Sequence, residues 1–168
     1  MVRLKPEEVP RQKLPPGRRP LSRFARPARL RGMRRKTTVA DVVLVALIAL
    51  HLAISFVHGA AHTGAAVPLS PAGTLFVWVV ILAGPLAGLL VWRWLDRRVG
   101  AWMVGATLGA SLAFGLINHF MIAGADHVAH VAAEWRLMFG ITAVLLAVTE
   151  ASGSAVAIWS AVHTGRSS

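Results

Sequence analysis

Four long apolar stretches, separated by short polar breaks, leave this chain few folds to choose from. They cover about residues 38–61, 71–94, 101–123 and 135–162. At a rise of 1.5 Å per residue, about 20 helical residues cross the ~30 Å hydrocarbon core of a bilayer. Backbone inside lipid must satisfy its own hydrogen bonds, so such stretches span as helices. The expected fold is an all-α integral membrane protein, a four-transmembrane-helix bundle over residues 37–163. A basic tail over 1–36, expected to be disordered, precedes it, and a short tail over 164–168 follows.

Local signals mark the ends of these helices. Thr37 and Thr38 are candidate caps for the first, and Asp41 suits its first turn. A secretory signal peptide cleaved after Gly59-Ala60-Ala61 competes with this reading, but the apolar run is too long and contains His51. Pro71 suits a first helical turn, Pro85 predicts a kink, and Arg93, Arg97 and Arg98 close the second helix. Trp92, Trp94, Trp102, Trp135 and Trp159 fall near helix ends, where interfacial anchors belong.

Composition sharpens the picture. The chain is 55% hydrophobic with a mean hydropathy of +0.60, more apolar than a water-soluble domain of this size needs to be. Of its 18 Lys and Arg, 13 lie in the first 36 residues, so the net charge of +11 belongs to the tail. Such a tail favours anionic lipid by about 1 kcal/mol per basic residue near the surface. Nucleic acid is a poor partner for it, because Phe24 is its only aromatic for base stacking. Met33, followed by Arg34, Arg35 and Lys36, competes with Met1 as the start of the chain.

Charge also predicts orientation. With the N-terminus inside, 17 basic residues face the cytoplasm and only Arg136 faces out. Both termini are therefore expected in the cytoplasm, in a bacterial or archaeal plasma membrane. Gly84 and Gly88 form one GxxxG step and Gly105 and Gly109 another, read first as packing within the bundle and second as a route to a homo-oligomer. The absence of Cys and Tyr excludes thiolate metal sites, disulfides and tyrosyl chemistry.

The seven histidines carry the functional expectation. His51, His58 and His62, spaced by seven and four, fall within about 40° on one helix face. His119 lies near the outer end of the third helix beside Asn118, and Asp126, His127, His130 and Glu134 follow. If residues 127–134 are helical, His127, His130 and Glu134 share a face. His58, His62, His119, His127 and His130, with Asp126 and Glu134, then form a candidate metal-ligand set at one membrane level. Imidazole suits copper, zinc and nickel, and carboxylates complete or orient such shells. His51, Asn118 and Glu150 form a deeper candidate polar site, since polar residues in hydrocarbon need partners and are commonly functional. Glu150 is expected near the depth of His51, and contact between them is anticipated.

The run His119-x6-Asp126-His127 resembles the His-x4-5-Asp-His signature of nickel and cobalt permeases. Those families have more helices, and the spacing here is longer. The leading expectation is a non-enzymatic membrane protein that binds a transition metal at its extracytoplasmic face for capture, delivery or transport. A redox subunit carrying haem b between facing histidines is one alternative, with His51 or His58 paired to His119. A scaffold subunit of a larger membrane complex is the other. No Gly-x-Ser-x-Gly, His-Glu-x-x-His, phosphate loop or dinucleotide fingerprint points to an enzyme.

Overall fold

The computed structural model describes residues 37–163, so the tails, with Phe24, Met33 and Arg166, lie outside the described residues. Four helices long and apolar enough to cross a membrane account for most of these residues, and none of the described residues is in a strand. They are α1 (Val39–Gly64), α2 (Pro71–Trp94), α3 (Arg97–Met121) and α4 (Ala133–His163). Many large apolar side chains face outward, among them Val42, Phe56, Leu75, Trp78 and Val144. Water would make such a surface an aggregation site, whereas lipid accommodates it. The chain is an integral membrane helical bundle.

The helix starts follow from local chemistry. Thr38 caps α1 in a reciprocal box: Asp41 N–H donates to Thr38 Oγ1 at 3.2 Å, and Thr38 N–H donates to Asp41 Oδ2 at 2.9 Å. Ser70 Oγ accepts from Gly73 N–H at 3.0 Å ahead of Pro71. Asp96 Oδ1 accepts from Val99 N–H at 2.9 Å, which corrects the expected start of the third helix. That helix begins at Arg97 rather than Ala101, because Asp96 supplies the missing cap. Arg97 and Arg98 therefore open α3 instead of closing α2. Arg97 pairs with Asp41 of α1 and lies 4.6 Å above the Trp92 ring.

Packing brings α3 against both α2 and α4, and α1 against α4. Both glycine steps face inward: Gly84 and Gly88 meet Thr107 and Val104 of α3, while Gly105 and Gly109 meet Ile158 and Ser154 of α4. One apolar core joins Leu44, Ile48, Val104, Leu108 and Ala157. A second, toward the opposite end, joins Ala61, Val131 and Phe139.

Two helices depart from α geometry where the site is built. In α2 a π-helical stretch, Val77–Ala83, ends two residues before Pro85. The predicted disturbance at Pro85 takes this form. In α3 the last turn, Ile117–Met121, is also π-helical and contains His119. Wide turns of this kind are rare and recur at functional sites.

Candidate metal centre

His58 and His62 lie in the last two turns of α1, and His119 lies in the π-turn that ends α3. One ring nitrogen from each falls within 4.8 Å of the others, the only such group of three or more His, Cys, Asp or Glu among the described residues. His58 and His119 are each 6% exposed and buried, while His62 is partly buried. Phe139 of α4 packs against all three rings, with centroids 4.8 Å from His58 and His62 and 5.2 Å from His119.

Hydrogen bonds fix two of the three tautomers. Thr142 Oγ1 lies 2.8 and 3.0 Å from the carbonyls of Met138 and Phe139, which only accept, so we assign its proton to them and let its oxygen accept from His58 Nδ1–H at 2.8 Å. His119 Nδ1 lies 3.1 Å from the Asp126 carbonyl oxygen, which only accepts, so it too carries a proton. In a neutral imidazole the other nitrogen then has a bare lone pair. The two Nε2 atoms of His58 and His119 face each other at 3.2 Å. Two lone pairs at that distance need a cation between them, either a shared proton or a metal ion. Two imidazole nitrogens on a tetrahedral zinc, each at about 2.0–2.1 Å, lie about 3.3 Å apart.

Asp126 stands behind this pair rather than between its members. Its Oδ1 is 3.3 Å from His62 Nε2 and 3.3 Å from His119 Nδ1. A carboxylate on the far nitrogen of a ligating histidine orients the ring and raises its basicity. Burial would push the Asp126 carboxyl up, but the His119, His62 and His58 side chains around it hold it below its ordinary value. His62 keeps a buried Nδ1 without a hydrogen-bond partner.

Other residues anticipated in the set are placed elsewhere. Residues 127–134 are not one helix, which removes the expected shared face: a single 3-10 turn, Val128–His130, is followed by extended backbone at Val131. Arg136 holds that bend by donating from Nε and a terminal nitrogen to the Val131 carbonyl at 3.2 and 3.1 Å. His127 and His130 pair with each other, rings 5.2 Å apart, outside the triad. Ala129 N–H donates to His127 Nδ1 at 3.1 Å, and His130 Nδ1 donates to the Gly124 carbonyl at 2.8 Å. Glu134 is exposed in the first turn of α4. Asn118 donates to Phe114 O at 2.8 Å on its own helix.

His51 and Glu150 do meet. His51 Nδ1 lies 3.5 Å from Glu150 Oε1, and Ser111 Oγ–H donates to that same oxygen. A cavity of about 250 Å³ runs between this group and the triad, with Asp126 and His62 in its lining at one end and Glu150 and Ser111 at the other. Sequence reasoning missed Thr142, Phe139 and Ser111. Thr142 precedes Glu150 by eight residues and Ser111 precedes His119 by eight, about the same two helical turns as the seven from His51 to His58. That register was the available signal.

Comparison with known proteins adds no relative: no family model, curated protein or solved structure matches the chain. What the fold and the triad define is a four-helix membrane protein with the donors and spacing to hold a metal ion.

Proposed function

We propose that this protein captures a divalent transition-metal ion, with zinc as the reference case, and holds it for delivery at one membrane face. His58 and His119 bind through Nε2, and His62 supplies a third nitrogen. Thr142 and Asp126 hold the first two rings from behind, and Phe139 keeps the shell apolar. The observation that carries this reading is the pair of lone-pair nitrogens facing each other at 3.2 Å, with both opposite nitrogens committed as donors. Three protein ligands leave a fourth tetrahedral position open, as suits a site that must load and release its ion.

The geometry favours an ion over haem. Axial nitrogens on opposite sides of a haem iron, each at about 2.0 Å, are about 4 Å apart with a macrocycle between them. Here the nitrogens are 3.2 Å apart and their rings pack edge to face at 4.9 Å. The excess of basic residues in the tail and at Arg93, Arg97 and Arg98 supports the triad facing away from the cytoplasm.

Elemental analysis of the detergent-purified chain, prepared without a polyhistidine tag, tests the reading. About one zinc, copper or nickel per chain is expected after equilibration, as for a single three-histidine site. The His58→Ala/His119→Ala double variant should lose it, and His127→Ala/His130→Ala should keep it. Equal metal in all three proteins, or none in the parent, overturns the assignment.

A further inference from the structure

Beneath the triad lies a second polar layer that metal capture does not use. Counting down each helix, His51 is seven residues from His58, Ser111 eight from His119 and Glu150 eight from Thr142. By helical rise this puts the layer about 10–12 Å deeper in the bundle. All three side chains are buried: His51 is 0%, Ser111 1% and Glu150 3% exposed.

The protonation pattern of this layer follows from the proline in α2. Pro85 has no N–H, so the carbonyl four residues earlier, at Ile81, lacks its α-helical donor. His51 Nε2 fills that place at 3.1 Å and must donate, because a carbonyl only accepts. Its Nδ1 then has a lone pair, is fully buried, and has no hydrogen-bond partner. The group it faces is Glu150 Oε1 at 3.5 Å. A carboxylate aimed at a lone pair inside hydrocarbon is strongly unfavourable, and one proton relieves both groups at once. Ser111 contributes a hydrogen bond without a charge. The titratable groups nearest Glu150 are His51 on α1 and His119 on α3, while α2 lines the cavity with Val77 and Ile81.

Toward the Asp41–Arg97 end the layer is closed. The cavity lining ends at Glu150 and Ser111. One turn further along, Ile48 and Leu108 are 1% and 0% exposed in the apolar core. At Gly153 an added Cβ would stand 2.7 Å from Leu108, so no gap remains there.

We propose that Glu150 is a neutral acid that shares its proton with His51, exchanges it with water in the cavity, and releases it when a divalent ion occupies the triad. This rests on the metal reading for its last part only. The positive charge of a bound ion at the other end of the cavity favours the ionised carboxylate below it. The departing proton passes to cavity water and leaves past the triad, and the carboxylate left behind is balanced by the metal.

Infrared spectroscopy on the full chain in lipid vesicles tests each part. At neutral pH the parent should show a carboxylic-acid C=O band that Glu150→Gln lacks. The band should shift when the buffer is changed to D2O, and should weaken on addition of zinc. Ser111→Ala, which removes one hydrogen bond, should shift the same band and so assigns it even if Glu150→Gln fails to fold. No such band at neutral pH overturns the proton site. A band indifferent to D2O overturns its access through the cavity. A band unchanged while zinc binds overturns the coupling. Absence of zinc binding overturns the metal reading and the coupling, and a band that exchanges in D2O then still supports the proton site.

Discussion

Thr142 is the α4 residue that hydrogen-bonds to the histidine triad, through His58. Its hydroxyl is committed as a donor to its own helix, so its oxygen presents a fixed acceptor to His58 Nδ1 at 2.8 Å. Thr142→Val keeps the shape and removes the acceptor. His58 then loses the contact that fixes its tautomer, and zinc affinity should fall by roughly 10-fold, the lower end for loss of such a supporting contact. Competition titration against a chelating dye checks this, and unchanged affinity would show that Thr142 does not position His58. At this scale the sequence was partly legible. The stripe of His51, His58 and His62 follows from helical periodicity alone, and so does the shared depth of His51 and Glu150. The helix that would put His127, His130 and Glu134 on one face did not follow from spacing, because their backbone is a 3-10 turn held by Arg136.

Among the elements, α2 and α3 show how closely two membrane helices approach when glycine permits it. An added Cβ at Gly100 would lie 2.1 Å from the Trp92 backbone nitrogen, a contact that only a backbone shift relieves. At Gly59 of α1 an added Cβ meets nothing within 4 Å. Gly100→Ala should therefore destabilise the bundle by about 1–3 kcal/mol, the usual range for overpacking. Gly59→Ala should be neutral or stabilise by up to about 1 kcal/mol, since alanine is the better helix former. Reversible unfolding in mixed micelles compares the two, and equal stability of both variants would contradict the close approach. The four spans and the start of α2 were readable from hydropathy and Pro71. The early start of α3 was not, because Arg97 and Arg98 read as a polar break until Asp96 is recognised as their cap. The π-turns also escaped, since no residue pattern sets them apart from ordinary helix.

Across the whole molecule the polar groups are stacked along the bundle in a fixed order. Asp41 and Arg97 pair at one end, an apolar core follows, then the Glu150 layer, then the histidine triad. This arrangement is packed with apolar side chains on the Asp41 side and carries its cavity on the triad side. The biological sense of that cavity depends on orientation, for which basic residues provide the argument. Arg93, Arg97 and Arg98 lie at the α2–α3 turn, at the end of the bundle away from the triad. Since the chain has no Cys, one introduced thiol reports unambiguously on one position. In intact cells, Ala125→Cys, in the loop beside the triad, should react with a membrane-impermeant maleimide. Leu95→Cys, in the α2–α3 turn, should react only after the membrane is permeabilised. The reverse pattern would turn the triad toward the cytoplasm, and the site would then draw on the intracellular metal pool instead.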